Sequence, residues 1–253
     1  MNAAHVVVEP TPRSGAWNMA IDEALLTAAV ENSTTTLRFY RWEEATVSLG
    51  YFQKTESASL DPLLAELPLV RRLSGGGAIL HEHEWTYSLS VPSDHSLSKQ
   101  AIQLYSRVHD CIIAALGNAD ISAAMRGDVD LTKATNPASE PFLCFGRGDE
   151  RDIIVAGHKV LGSAQRRRRG AILQHGSLLL RRSKYALQFP GLEDLVEAPF
   201  SVDELMQDVV GQLAQMMGTD VIGSDFGADV ETAAGTLVSQ RYQQTDWRVS
   251  PGN

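Results

Sequence analysis

Residues 71–81, RRLSGGGAILH, place three consecutive glycines behind two arginines and ahead of an apolar run. Glycine loses more conformational entropy on folding than other residues, and it adopts backbone angles that they avoid. Three in a row therefore indicate either a place where main-chain amides approach a polar ligand or a plain turn between strands. The spacing matches neither the P-loop nor the dinucleotide fingerprint, and no lysine–serine pair follows. The segment predicts a strand–loop–strand unit, with ligand binding as one of two open interpretations.

Hydrophobic periodicity predicts helices towards both ends of the chain and strands between them. Residues 17–30 carry apolar side chains at helical spacing, which places Asp22 and Glu23 on the outer face. Further helices are predicted over residues 98–116, 230–242 and 202–217, the last with a capping box at Ser201 and Glu204. Strands are predicted over residues 37–41, 47–53, 69–72, 85–91, 151–155, 158–162 and 171–180, with a hairpin at Ala156 and Gly157. This order indicates an α+β domain with a mixed, largely antiparallel sheet flanked by helices.

Length and composition favour one globular domain over residues 1–253. Apolar residues make up 43% and charged residues 21% of the chain, which excludes the disordered and fibrous classes. No apolar run approaches the roughly 18 residues that span a bilayer, and no secretory signal opens the sequence. We therefore expect a cytoplasmic protein that does not bind membranes.

Positive charge is concentrated although the net charge is −9. Four arginines occupy residues 166–169, Arg181 and Arg182 follow, and Arg71 and Arg72 precede the glycines. This basic island is either a solvated charge run or a docking surface for an acidic protein, a phosphate or a nucleotide. Nucleic acid is not expected as a partner, because the overall charge is negative and no aromatic residues alternate with the arginines.

Two residues stand out as candidates for chemistry. Cys144 follows a predicted mobile surface loop, residues 127–141, and the nearby cations Arg147, Arg151 and Lys159 would favour a thiolate. Lys159 lies in a predicted strand, where an ammonium pointing into a cleft would polarise a carbonyl or stabilise a thiolate. A buried structural thiol and an exposed lysine are the alternatives. Cys111 falls on the apolar stripe of a helix and is interpreted as a core residue.

Metal and hydrolase sites are not supported. His81 and His83 lie beside Glu82 and Glu84, but their spacing matches no zinc pattern. No GxSxG motif begins a serine triad. His81 and His175, each near a glycine segment, are either core histidines or site residues.

Six segments occur in an order and approximate spacing typical of one protein family: WNMAIDEALL, RFYRW, VSLGYFQ, RRLSGGGAILH, GHKVLGSAQ and ILQHGSLLL. Together they resemble the lipoate and octanoate protein ligase and transferase superfamily, which shares its catalytic fold with biotin protein ligase. The resemblance implies an acyl pocket in which Lys159 contacts the acyl carbonyl. The lining residues that it implies are Arg72, Ser74, Gly75, Gly76, Gly77, His81, Gly162, Ser163, Ala164 and His175.

Two reactions compete within that superfamily. ATP-dependent ligases use ATP and Mg²⁺, carry an Asn-Asp pair before the lysine and usually have a C-terminal accessory domain. This chain instead has PFLCFGRGDERDIIVAGHK, which resembles the cysteine-bearing loop of the octanoyltransferases of Gram-positive type. The residues after Phe145 depart from the Pro-Ser-x-Tyr-Glu pattern of those enzymes. The resemblance implies a single catalytic domain over residues 1–253, with no accessory domain, no metal and no cofactor.

The implied reaction passes an octanoyl or lipoyl group from an acyl carrier protein thioester, through Cys144, to a lysine. That lysine belongs to a lipoyl domain of a 2-oxoacid dehydrogenase E2 or to glycine cleavage H protein, and the basic island steers both acidic partners. An ATP-dependent lipoate ligase and a non-catalytic adaptor that binds acyl groups or lipoyl domains are the alternatives.

Overall fold

The computed structural model describes residues 4–53, 62–129, 143–146, 148–219, 222–223 and 225–249. Most of the loop predicted over residues 127–141 lies outside these ranges, as does Arg147. The strands are β1 His5–Val8, β2 Thr36–Tyr40, β3 Thr46–Leu49, β4 Leu69–Arg71, β5 Ile79–His81, β6 Glu84–Val91, β7 Ala123–Met125, β8 Ile153–Val155, β9 His158–Arg168, β10 Ala171–Leu179 and β11 Ile222–Gly223. The helices are α1 Gly15–Glu31, α2 Pro62–Ala65, α3 Ala101–Asn118, α4 Leu192–Leu195, α5 Val202–Met216, α6 Ala228–Leu237 and α7 Thr245–Val249.

The strands form two sheets. The larger has the order β11-β1-β2-β6-β10-β9-β8-β7; β1 is parallel to both of its neighbours, and the other pairs are antiparallel. The smaller has the order β4-β3-β5, and the glycine segment connects β4 to β5. The predicted α+β class, the mixed sheet and the loop between strands are confirmed.

The larger sheet is covered by helices on both faces, and side chains that alternate along β2 pack against different helices. Leu37 and Phe39 of β2 pack into a core with α3 and α5. Arg38 and Tyr40 point to the other face, where they meet α1. Successive side chains of a strand point to opposite faces of the sheet. One face therefore carries an apolar core, and on the other face polar side chains of the sheet meet polar side chains of α1.

Several element boundaries differ from those predicted. The strand predicted over residues 47–53 ends at Leu49. The next residue, Gly50, packs against the glycine loop so closely that a Cβ there would lie only 1.9 Å from the carbonyl oxygen of Gly76. Helix α3 begins at Ala101, after a separate 3₁₀ turn over Ser96–Lys99. The last predicted helix divides into α6 and a π-helical turn, Val238–Tyr242. At α5, the Ser201 hydroxyl accepts from the Glu204 amide, which is one of the two hydrogen bonds of the predicted capping box.

Asp22 and Glu23 are buried, so their predicted position on an outer face is wrong. Helix α1 packs against the sheet and also against α6, which leaves it no broad solvent face. The hydrophobic periodicity did not predict this burial, because a helix that packs on two sides has no single polar stripe that marks its solvent face.

The arginines do not form one island, and that prediction is wrong. Arg71 and Arg72 are buried. The run at 166–169 lies at one end of the β9–β10 hairpin, whereas Arg181 and Arg182 follow its other end. Nine residues of β10 separate the two ends, which corresponds to roughly 30 Å along the strand.

None of the described helices is long and apolar enough to cross a bilayer.

Candidate active site

A pocket with about 520 Å³ of empty space lies between the glycine segment, the start of β9 and the turn that carries Cys144. Ten of the predicted site residues line it: Arg72, Gly75, Gly76, His81, Cys144, Lys159, Gly162, Ser163, Ala164 and His175. Ser74 and Gly77 do not line the pocket, but each contacts a residue that does. The Ser74 hydroxyl bonds to Nε2 of His175, and the Gly77 carbonyl accepts from Arg72.

Cys144 is half-buried at the start of a 3₁₀ turn, Cys144–Gly146. Its backbone amide donates to the carbonyl of Ala78 at 2.6 Å, and Leu143 forms a β-bridge with Ala78. These contacts join the cysteine turn to the C-terminal end of the glycine segment. The thiol therefore faces the loop whose glycines the sequence singled out.

Lys159 reaches the same pocket from the second residue of β9. The hairpin before it turns at Ala156 and Gly157, with φ of 48° and 81°, as predicted. Nζ of Lys159 lies 2.9 Å from Oδ2 of Asp152 and donates to the Cys144 carbonyl at 3.4 Å. Burial raises the pKa of the Asp152 carboxyl, and the Lys159 charge opposes that rise. Sequence reasoning missed Asp152, whose only signal was a carboxylate seven residues before the lysine.

Arg72 is enclosed by neutral oxygens. Nη1 donates to the carbonyl of Ser48 at 2.9 Å and to its hydroxyl at 3.1 Å, and Nη2 donates to the carbonyls of Gly75 and Gly77. Burial lowers the pKa of the guanidinium to about 10, and the charge of Cys144 counteracts that shift. The buried arginine therefore shapes the glycine loop and contributes positive charge near the thiol.

Each of the two predicted site histidines is held at both ring nitrogens. Nδ1 of His81 bonds to Glu84 at 2.6 Å, and its Nε2 bonds to the Ser48 hydroxyl at 2.7 Å. Burial lowers the pKa of His81, which favours the neutral ring. His175 uses Nδ1 to contact Asp22 at 3.0 Å. Among the described residues, no group of three or more His, Cys, Asp or Glu side chains could hold a metal ion.

The other reactive-residue candidates lie elsewhere. Cys111 is half-buried against the core on α3, and burial raises the pKa of its thiol. Arg151 pairs with Asp149 at 2.9 Å and does not line the pocket. Arg151 therefore does not supply the positive charge at Cys144 that sequence proximity suggested.

The family model described as "Lipoyl protein ligase A/B catalytic domain" matches residues 14–221. The chain belongs to this family. Octanoyltransferase LipM of Brevibacillus brevis is 31% identical over 264 residues, which cover 93% of this chain and 95% of that protein. Other relatives that match along most of the chain have the same name.

Two solved structures show that this lipoyl protein ligase A/B domain has the ligase fold. Lipoate-protein ligase A bound with ATP matches with a TM-score of 0.78 and 22% identity, covering all of both chains. A bipartite lipoate protein ligase of Thermoplasma acidophilum, from a structural analysis that includes its E2 lipoyl domain, matches with a TM-score of 0.74 and 20% identity. That match covers all of this chain and 98% of the other.

Family motifs pointed to Ser163 but not to the residues that hold it. Its hydroxyl contacts Nε2 of His109 and the hydroxyl of Tyr87, both at 2.7 Å, while the hydroxyl of Tyr105 bonds to its backbone. Burial lowers the pKa of His109 to about 4, so the ring is neutral. Nδ1 then donates to the Arg151 carbonyl, and Nε2 accepts from Ser163. His109 gave no local sequence signal beyond its place in a helical pattern.

The remaining lining residues of this family member are largely apolar or aromatic. Trp42 stacks on His81, with ring centroids 3.7 Å apart and planes 10° apart. The residues that sequence reasoning did not assign to the pocket are Met19, Tyr40, Trp42, Ser48, Ile79, Thr86, Phe145, Gly176 and Ser177. An apolar pocket with a thiol and a cation at one side is suited to hold an alkyl chain with a polar end group beside them.

Proposed function

We propose that this protein is an octanoyltransferase of protein lipoylation and that residues 1–253 act as one catalytic domain. The acyl group passes from an acyl carrier protein thioester, through Cys144, to a lysine of a lipoyl domain of an E2 component or of glycine cleavage H protein. One observation carries this assignment: a cysteine lines the same pocket as the lysine of the KxxGSA strand, in a chain whose relatives are named octanoyltransferases. The transferase reaction calls for no cofactor.

In the first step, Sγ of Cys144 attacks the thioester carbonyl carbon as a thiolate. A C–Sγ bond forms and the bond from carbon to the carrier sulfur breaks. The carrier leaves as a thiolate and takes up a proton. The octanoyl group is then bound to Cys144 as a new thioester.

In the second step, the neutral ε-amine of the acceptor lysine attacks that thioester. The amide C–N bond forms, the C–Sγ bond breaks, and the amine loses a proton to solvent. Sγ returns as a thiolate, so the enzyme is ready for another cycle. The products are the carrier thiol and an octanoylated lysine.

Both steps pass through a tetrahedral intermediate with negative charge on the former carbonyl oxygen. Nζ of Lys159 lies at the cysteine turn, 3.4 Å from the Cys144 carbonyl, where it can donate to such an oxyanion. Asp152 holds the ammonium in that position. We therefore assign Cys144 as the nucleophile and Lys159 as the oxyanion donor.

The alkyl chain is bound by the apolar part of the pocket, to which Met19, Trp42 and Ile79 contribute. Burial contributes about 0.8 kcal/mol for each CH₂ group. A donor shortened by two carbons therefore loses about 1.6 kcal/mol of binding, or roughly fifteenfold.

An ATP-dependent lipoate ligase is the second candidate, favoured by the fold that this chain shares with the ATP-bound ligase. In that reaction ATP and Mg²⁺ are required, and Cys144 forms no acyl intermediate. A lipoyl-domain adaptor without catalysis is the third.

One experiment separates the three. The protein is incubated with octanoyl acyl carrier protein without ATP, and its intact mass is measured. The transferase gains one octanoyl group, which hydroxylamine removes and which the Cys144→Ala variant does not acquire; the Cys111→Ala variant, with the other cysteine changed, is acylated normally. Absence of the adduct together with ATP-dependent lipoylation of a lipoyl domain overturns the proposal in favour of a ligase. Binding of a lipoyl domain without either reaction supports the adaptor.

A further inference from the structure

Arg72 and Cys144 both approach the same point in the glycine loop, at Gly76. A Cβ atom built on Gly76 would be 3.1 Å from Nη2 of Arg72 and 3.9 Å from Sγ of Cys144. Gly76 has a φ of +91°, a region that favours glycine. Because Gly76 has no side chain, the guanidinium and the thiol can both come close to the backbone at this point and therefore to each other.

The charge of Arg72 is not paired with a carboxylate among the described residues. Its two terminal nitrogens donate to three carbonyls and one hydroxyl, all neutral groups. The side chain is 2% exposed, so solvent screens this charge weakly. A buried cation with neutral partners stabilises an anion that forms beside it.

Within the described part of the chain, Lys159, unlike Arg72, is paired with a carboxylate. Its ammonium lies 2.9 Å from the Asp152 carboxylate, and it contacts Cys144 through the backbone carbonyl. The adjacent carboxylate offsets much of the lysine charge at the sulfur. Lys159 is thus suited to donate a hydrogen bond, and Arg72 is suited to act through its charge.

A relay of side chains holds the guanidinium. Because arginine only donates, the Ser48 hydroxyl accepts from Nη1 and gives its own proton to Nε2 of His81. His81 then donates from Nδ1 to Glu84. Trp42 stacks against the imidazole ring and restricts its orientation.

We propose that Arg72 is the cation that stabilises negative charge on Sγ of Cys144, and that Glu84, through His81 and Ser48, positions it. This inference rests on the proposed role of Cys144 as nucleophile. Arg72 acts in both steps, because Sγ is a thiolate before the first and after the second. It keeps the thiol reactive while the alkyl chain fills the apolar part of the pocket.

Several titratable groups line the pocket or pair with residues that line it. Besides Arg72, these are Lys159 with Asp152, His81 with Glu84, His175 with Asp22, and Tyr40. A test must therefore separate Arg72 from Lys159, the other cation beside the cysteine turn.

The experiment measures the rate of Cys144 alkylation by iodoacetamide from pH 5 to 10. It uses a Cys111→Ala background, so that Cys144 is the one cysteine present, and it needs no acyl donor or acceptor. We expect Arg72→Met to raise the pH midpoint by about one unit or more. Lys159→Met is expected to raise it by less, and Ser48→Ala to produce a smaller rise in the same direction as Arg72→Met.

An unchanged midpoint in a folded Arg72→Met protein overturns the proposal, as does a larger shift in Lys159→Met. Circular dichroism and the melting temperature report folding. If Arg72→Met does not fold, the Ser48→Ala variant provides the test. This variant keeps the Arg72 guanidinium but removes the hydroxyl that joins it to His81. An unchanged pH midpoint in Ser48→Ala then overturns the proposed positioning of Arg72. The alkylation profile requires no transferase activity, so it can fail or succeed independently of the octanoyltransferase assignment.

Discussion

Nζ of Lys159 and Oδ2 of Asp152 lie 2.9 Å apart, with 7% and 2% of the two side chains exposed. The backbone amide of Asp149 donates to the same carboxylate oxygen at 2.7 Å. This pair joins the β8–β9 hairpin to the segment that follows the cysteine turn. It also holds the ammonium at the cysteine turn, where the proposed mechanism places the oxyanion of each tetrahedral intermediate.

Replacing Asp152 with Asn should therefore reduce both stability and transfer. The change removes the carboxylate charge that lies beside a buried ammonium, which costs about 3 kcal/mol. We expect a lower urea midpoint and a reduced kcat for octanoyl transfer. The control is Asp149→Asn, which alters an exposed pair with Arg151 and should cost less than about 1 kcal/mol. Equal losses in the two variants would count against a special role for the buried pair.

Gly76→Ala should reduce transfer strongly. The new methyl group would lie 3.1 Å from Nη2 of Arg72 and 3.9 Å from Sγ of Cys144, at a residue whose φ of +91° disfavours a side chain. We expect a destabilisation of about 1–2 kcal/mol and a larger relative loss of kcat/KM. Gly75→Ala is the matched control, since a Cβ there has no atom within 4 Å. Similar kinetics for the two variants would contradict the proposed contact.

Stability at low pH should depend on Glu23, which contacts Arg168, Arg241 and Tyr242. Burial raises the pKa of this carboxyl, but hydrogen bonds from the two arginines outweigh burial and lower it overall. A lowered folded-state pKa means that the stabilisation is complete above the unfolded value, about 4.3, and is lost as pH falls through the folded value.

Glu23→Gln should accordingly lower stability by about 1–3 kcal/mol at pH 7. The difference from wild type should shrink as pH falls from the unfolded value, about 4.3, through the lowered folded-state pKa of Glu23, because protonation then removes the charge that Gln lacks. Thermal melts at several pH values test this. A difference that stays constant from pH 7 to pH 3 would show that the charge of Glu23 is not responsible.

Salt dependence tests the basic run at 166–169. Arg168 pairs with Glu23, and Arg166 lies over the ring of Tyr51, whereas Arg167 and Arg169 are exposed. A double change of Arg167 and Arg169 to Gln should raise KM for an acidic lipoyl domain at low ionic strength, with the effect fading as salt screens the charges.

The control for that experiment is Arg181→Gln, at the other end of the β9–β10 hairpin. An equal effect of the control would indicate general electrostatics rather than local steering. No change in either variant at low salt would show that the basic run does not steer the acceptor.

Sequence patterns were sufficient to predict most helices and strands, because these elements depend on residues that are close together in the chain. The alternation in β10, the apolar spacing in α3 and the hairpin at Ala156 and Gly157 depend on residues close together in the chain. Patterns failed where an element packs on two sides. Glu23 was expected at the surface, yet it meets Arg241, 218 residues away.

The site was partly predictable for the same reason. Family motifs brought Cys144, Lys159 and the glycine loop into one hypothesis, and the structure places them around one pocket. Asp152, His109 and Ser48 carry no motif of their own. Their importance comes from contacts with Lys159, Ser163 and Arg72, which no spacing rule predicts.

The sequence by itself determined the α+β class, the glycine loop between strands and the candidate nucleophile, because each is encoded in local pattern or in ordered family motifs. Tertiary structure alone decided how the two cations at the cysteine turn, Arg72 and Lys159, are paired. Arg72 and Lys159 are 87 positions apart, and both carry a positive charge. Only the packed structure gives the lysine a carboxylate partner and surrounds the arginine with neutral oxygens, and that difference in pairing determines how each acts on Cys144.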